Sequence, residues 1–119
     1  MSDVKGMGID LCGVSRMAEL LDSGRPLRRM FTEAEEAYIR GRGAAAAQSA
    51  AGLYAAKEAA LKALGTGLSI PLTDIEITHT ELGQPRAALH GKAAAMGGRL
   101  EVSITHEGDM AAAVALWMA

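Results

Sequence analysis

Lys57, Glu58 and Lys62, in the run KEAALK, are side chains that could do chemistry from a single helix. Asp10 stands far upstream in GMGIDLCG, and His106 near the other end in SITHEGD. Two carboxylates from separate segments can hold a hard cation such as Mg²⁺ when substrate and water fill the remaining positions. A lysine ammonium one helical turn beyond such a site can neutralise phosphate charge, or move a proton if its pKa is lowered. Spacing alone favours a blander reading. Glu58 and Lys62, four apart in the favourable order, make a solvated helix pair worth about 0.2–0.5 kcal/mol. Asp10 also suits a cap at a strand end, and His106 suits a core histidine with a backbone partner.

The elements that must position these groups can be read from the pattern. The alanine-rich stretch from Ala44 to Leu64 holds good helix formers and no proline. Gly65 falls where a left-handed cap is expected, and Gly67 lets the chain turn away. Leu53, Ala56, Ala60 and Leu64 form an apolar stripe, and Lys57, Glu58 and Lys62 are expected on a neighbouring face. Val4–Cys12 reads as a strand with Met7, Ile9 and Leu11 on one face and Gly6, Gly8, Asp10 and Cys12 on the other. Those glycines leave room for a second element to approach closely, and the helix carrying Glu58 is the candidate.

Val14–Asp22 reads as a short helix ended by Ser23–Pro26. Thr32 and Glu35 have the spacing of a capping box, opening a helix that ends at Gly41–Gly43. Strands are expected at Asp74–Thr80 and Arg86–His90 around the turn Leu82–Pro85. A short helix at Gly91–Met96, a strand at Leu100–His106 and a strand at Met110–Trp117 follow. The last is apolar on both faces, as in a fully buried strand.

The chain has the length of one domain, 1–119, with room for a small core. Half its residues are hydrophobic, yet it has one Phe, two Tyr and one Trp. Alanine and methionine must therefore supply burial through close packing or an oligomer interface. A net charge of −2 gives no bulk attraction to nucleic acid or anionic membrane. Apolar runs are too short to span a bilayer, and no signal segment opens the sequence. Cys12 is the only cysteine, which excludes an internal disulfide and favours a reducing cytoplasm. It reads as a small buried hydrophobe. Arg16, Arg25, Arg28 and Arg29 stand against Glu19 and Asp22, a local positive excess in a net-negative chain.

KEAALKALGTG at 57–67 resembles the signature helix of the 4′-phosphopantetheinyl transferases. GMGIDLCGVSRM at 6–17 resembles their opening strand, and LEVSITHEGDMAAAVALW at 100–117 their closing pair of strands. In length and order the chain is similar to the small holo-(acyl-carrier-protein) synthase branch. The resemblance implies an α+β fold, a small antiparallel sheet packed on a long helix, in a homotrimer. It implies transfer of the 4′-phosphopantetheine arm of coenzyme A to a serine of apo acyl carrier protein, releasing 3′,5′-ADP, in fatty acid biosynthesis. It implies Mg²⁺ held by Asp10 and Glu58, and Lys62 as a phosphate-binding or acid–base residue. Lys57, Gly65, Thr66, Gly83, Pro85 and His106 would line the coenzyme. Arg16, Arg25, Arg28 and Arg29 would meet the acidic carrier protein, with Arg16 on a matched position.

One position departs from the pattern. Many relatives carry an arginine where this chain has Leu53, and that arginine helps hold a coenzyme phosphate. Arg40 and Arg42 are the available substitutes. His79 and His90 match no signature and are read as structural. Two other classes compete with the transferase: a non-catalytic module that binds carrier protein, and a structural oligomer in which Glu58–Lys62 is only a surface pair.

Overall fold

The glycines of the first strand and the alanines of the long helix dictate how the layers meet. In the computed structural model, which describes residues 3–119, the chain runs β1 (Val4–Gly13), α1 (Val14–Asp22), α2 (Glu33–Arg40), α3 (Ala46–Leu64), β2 (Ile75–His79), β3 (Pro85–Leu89), α4 (Gly91–Ala95), β4 (Arg99–Glu107) and β5 (Met110–Met118). A Cβ added to Gly6 would collide with the Ala63 carbonyl, and one on Gly8 with the Ala59 carbonyl. The backbone of α3 therefore lies directly on β1, at a separation only glycine permits. Ala50, Ala51, Ala55, Ala56, Ala59, Ala60 and Ala63 are all buried, so α3 is enclosed on most of its circumference.

The sheet is antiparallel with order β1-β5-β4, and β2 and β3 form a separate hairpin. This is the expected α+β architecture, with the sheet in two pieces. A 3₁₀ turn at Gly43–Ala45 leads into α3, so the regular helix starts two residues later than its composition suggests. Gly65 closes it at φ 73°, its N–H donating to the Leu61 and Lys62 carbonyls. The capping box of α2 is present in full: Thr32 Oγ1 accepts from Glu35 N, and Glu35 Oε1 accepts from Thr32 N. Pro85, expected in the turn, instead opens β3 opposite His79.

The central strand corrects one expectation. β5 is not buried on both faces within this chain. Ala111, Ala113 and Ala115 face α3 and are buried, while Val114 is 38% exposed on the opposite side. Register sets Val114 against Ile9 and Leu116 against Met7. Met7 and Ile9 are 68% and 67% exposed, so the sheet carries an open apolar face. The alternation of β1 is as read, but its apolar side is the outer one, because the glycine side is needed against the helix. No helix among the described residues is long and apolar enough to cross a membrane.

Candidate active site

The strand–helix contact that the glycines allow brings Asp10 of β1 beside the C-terminal half of α3. Lys62 Nζ lies 3.0 Å from Asp10 Oδ1 and donates to the Ile9 carbonyl at 3.0 Å. Lys62 therefore pairs across elements with Asp10, and not with Glu58 along its own helix. Glu58 lies one turn earlier and is half-buried. Tyr54, one turn earlier again, reports both carboxylates. Burial, then a hydrogen bond and charge from Glu58, with a smaller contribution from Asp10, push its hydroxyl up to about 12. The phenol therefore keeps its proton beside Glu58. Asp10, Glu58, Lys62 and Tyr54 form one cluster of two carboxylates, an ammonium and a phenol.

Lys57 is not part of that cluster, which corrects its expected role at the coenzyme. Its side chain is fully buried and ion-paired with Glu35 of α2. Glu35 also accepts from Ile77 N at 2.7 Å through its second oxygen. Burial draws the Lys57 ammonium below its usual pKa, opposed by the Glu35 charge. No substrate reaches this ammonium. It fastens α2, α3 and β2 together.

Gly65 and Thr66 also differ from expectation. Their backbone N–H groups, offered as ligand donors, are occupied by helix carbonyls: Gly65 N by Leu61 and Lys62, Thr66 N by Leu61 at 3.4 Å. The Schellman-type cap that ends α3 takes up these two backbone donors, and of the groups expected there the Thr66 hydroxyl is left.

His106 reaches α3 from β4. Gly52 makes room for it, since an added Cβ would lie 3.0 Å from His106 Nε2 and 2.9 Å from Ile104 Cγ2. Gly83 turns the β2–β3 hairpin at φ 86°. A pocket of about 170 Å³ joins Gly83, Pro85 and His106 with Arg42, His79 and Leu53. Three of the expected coenzyme residues thus share one cavity. Arg42, one of the two substitutes named for the arginine missing at Leu53, also lines it, as does His79, which was read as structural.

On the other side of β1, an open cleft of about 520 Å³ is lined by Arg16, Arg25, Met17, Leu20, Met30 and Tyr54 among others. Tyr54 links this cleft to the carboxylate cluster. Arg28 and Arg29 are exposed on the α1–α2 connection but do not line it. The start of α1 is held by a residue that sequence reading missed. Asp109, in the β4–β5 turn, accepts from Ser15 Oγ at 2.6 Å and Ser15 N at 3.0 Å, and its carbonyl accepts from Val14 N at 2.8 Å. No local pattern marks it, because its partners lie 94 residues earlier.

A strand carboxylate and a helix carboxylate with a lysine between two flanking clefts define an enzyme site built for a charged, extended substrate. The chain belongs to the 4′-phosphopantetheinyl transferase superfamily, whose sequence profile matches residues 6–115. It is 40% identical over 119 residues to the holo-(acyl-carrier-protein) synthase of Treponema denticola, covering 95% of this chain and 97% of that protein. The Moorella thermoacetica synthase is 43% identical over 116 residues, covering 92% of this chain and 90% of that one. Among solved structures, the holo-(acyl-carrier-protein) synthase of Bacillus anthracis, in complex with coenzyme A (3′,5′-ADP), superposes with a TM-score of 0.83. It is 29% identical and covers 98% of this chain and 97% of its own. The Neisseria meningitidis synthase superposes with a TM-score of 0.83 at 26% identity, covering 97% of this chain and 98% of its own.

Proposed function

We propose that this chain, as one domain over residues 1–119, transfers the 4′-phosphopantetheine arm of coenzyme A to a serine of apo acyl carrier protein. It is a holo-(acyl-carrier-protein) synthase of fatty acid biosynthesis, and its second product is 3′,5′-ADP. The observation that carries the reading is the cluster at the β1–α3 contact, where Lys62 Nζ stands 3.0 Å from Asp10 Oδ1 and Tyr54 is perturbed by both Glu58 and Asp10. The serine oxygen forms a bond to the β-phosphorus, and the bond from that phosphorus to the bridging oxygen breaks. Charge then builds on the departing phosphate, so stabilising charge matters more than covalent help.

Asp10 and Glu58 fit a hard divalent cation such as Mg²⁺. Both offer carboxylate oxygens, and the ammonium on Asp10 marks where positive charge is already favoured. Among the described residues no third His, Cys, Asp or Glu joins them, which leaves further positions to substrate and water. Such an ion would supply charge neutralisation at the pyrophosphate. Lys62, 55% exposed at its side chain, is free to swing from Asp10 toward a phosphate oxygen. Tyr54 holds its proton beside Glu58.

The acidic carrier protein is met by Arg16 and Arg25 at the large cleft, with Arg28 and Arg29 on the adjoining loop. None of the four forms a salt bridge among the described residues, so their charge is open to a partner. The open apolar face of β1 and β5 supports a homotrimer, since a contiguous apolar sheet surface calls for a covering partner. Val114→Glu should dissociate that assembly, and native mass spectrometry of the unmodified chain should give three copies. The single cysteine is in keeping with a cytoplasmic location.

The deciding experiment incubates the protein with coenzyme A, Mg²⁺ and apo carrier protein, and weighs the carrier. A gain of one phosphopantetheine arm is expected. Glu58→Gln should abolish that gain while unfolding stays cooperative, because a neutral amide keeps the shape but is a poor ligand for a hard cation. Near-normal turnover of this variant would remove Glu58 from the metal site.

A further inference from the structure

We propose that the Lys62 ammonium competes with the divalent cation for Asp10, and that coenzyme A admits the cation by drawing Lys62 onto its phosphate. The inference rests on Asp10 and Glu58 being the metal carboxylates, and it adds an order of loading to that reading. Lys62 then has two posts, one on β1 before coenzyme A arrives and one on the pyrophosphate after.

Placement is the first observation. A Cβ added to Gly8 would lie 2.8 Å from Lys62 Cβ, so the base of this side chain rests on the β1 backbone. From there Nζ reaches Asp10 Oδ1 and the Ile9 carbonyl, each at 3.0 Å. Two of the three ammonium donors are thus placed on β1. A cation bound at Asp10 would have to share that carboxylate with the ammonium.

Charge is the second. The other ion pairs among the described residues are Arg40–Glu36, Lys57–Glu35, His90–Glu76 and Arg99–Glu101, and none includes Asp10 or Glu58. Lys62 is therefore the one ion-paired base among them whose charge rests on this cluster. An ammonium and a dication on one carboxylate repel at close range, and most strongly where water is partly excluded. The Asp10 side chain is largely covered and that of Lys62 is half-exposed, so the ammonium is the partner with room to leave.

Linkage follows from the two. Coenzyme A brings pyrophosphate charge to the cluster, which offers the ammonium a second set of anionic oxygens. Lys62 leaves Asp10 as it binds them, and the carboxylate is freed for the cation. Coenzyme A thereby raises the affinity for the cation, and the cation raises that for coenzyme A by the same factor. A lysine that only neutralised phosphate would leave metal affinity untouched when coenzyme A is absent. A competing lysine must weaken it.

The test is calorimetric titration of the full chain with Mn²⁺, which shares the preference of Mg²⁺ for oxygen ligands, without coenzyme A and with it at saturation. Without coenzyme A, Lys62→Met should bind Mn²⁺ about three- to fivefold tighter than the unmodified chain, the scale of breaking a half-exposed ion pair. Lys92→Met, which removes an exposed charge on α4, should leave Mn²⁺ affinity unchanged. Coenzyme A should tighten Mn²⁺ more in the unmodified chain than in Lys62→Met, since only the former has an ammonium to displace. Equal or weaker Mn²⁺ binding by Lys62→Met overturns the competition. So does an equal gain in Lys92→Met, which would trace the effect to net charge, or an equal enhancement by coenzyme A in both chains. Should Lys62→Met not unfold cooperatively, Lys62→Gln, also neutral, decides by the same comparison. Glu58→Gln separates this inference from the reading beneath it. If that variant leaves Mn²⁺ binding unchanged, the metal assignment itself fails. If it abolishes binding that Lys62→Met does not tighten, the carboxylates keep the metal and the competition alone is lost.

Discussion

Lys57 and Lys62 stand five residues apart on α3, and each is paired with a carboxylate from an earlier element. Five residues advance a helix by about 500°, which leaves the two side chains about 140° apart around its axis. Lys57 points into the core, with both partners of its pair fully buried. Lys62 points to the β1 edge, where its side chain is 55% exposed and that of Asp10 20%. A closed pair has its hydrogen-bonding capacity filled by protein: Glu35 serves Lys57, Thr32 N and Ile77 N at once. An open pair keeps capacity for something that is not yet there. The same two residue types thus give a fastener on one face of the helix and an open pair on another, and direction around the axis decides which.

The strongest way to break this contrast is to truncate each lysine in turn. Lys57→Ala leaves the Glu35 carboxylate buried without its counter-charge, a loss of about 3–5 kcal/mol. In urea the midpoint should fall sharply or the chain should fail to fold. Lys62→Ala removes a half-exposed pair and should change stability by less than about 1 kcal/mol. Its turnover should nevertheless drop about 100-fold, the scale of losing one charge that stabilises a transition state. If the two variants lost stability equally, the division of labour on α3 would be wrong.

The error in reading Lys57 as a coenzyme ligand has a physical origin. Periodicity places residues on a helix relative to one another but does not say which faces are covered. An alanine-rich helix hides that information, because alanine is at home on either side. Once α3 proved to be enclosed by β1, β5, β4, α1 and α2, the Tyr54–Glu58–Lys62 edge was what its C-terminal part left open. Element order and type were legible because the caps are strong: Thr32 and Glu35 reciprocate, and Gly65 takes the left-handed turn. The approach of α3 to β1 was legible from Gly6 and Gly8. The outward apolar face of β1 and β5 was not, since a strand apolar on both sides leaves open what covers the second. Arg42 was named from sequence as a substitute for the arginine missing at Leu53, but its meeting with His79 and Tyr38 was illegible for a further reason. Their meeting depends on how the β2–β3 hairpin lies against α2, a long-range contact with no local signature. Gly52 alone gave a signal that could have been used, as an isolated glycine inside a helix marks a close approach.

Asp109 tests how far exposure can stand for function. It is an exposed carboxylate, like those an active site offers, yet it acts as a fastener. It accepts both Ser15 donors, and its carbonyl accepts Val14 N, so the β4–β5 turn caps α1 in place of a local residue. The N-cap position of α1 is Gly13, which has no side chain to do this. Asp109→Ala should therefore cost about 1 kcal/mol, the usual loss on removing a capping oxygen. The smaller consequence is the informative one. Arg16 lies in the first turn of α1, so a frayed start loosens the arginine that faces the large cleft. KM for carrier protein should rise a fewfold, while affinity for 3′,5′-ADP should stay constant. Asp109→Asn keeps an accepting oxygen and should recover most of both losses. If Asp109→Ala instead reduced turnover at saturating substrates by the factor seen for Lys62→Ala, Asp109 would belong to the open class, and filled hydrogen-bonding capacity would not separate fasteners from reactive groups in this fold.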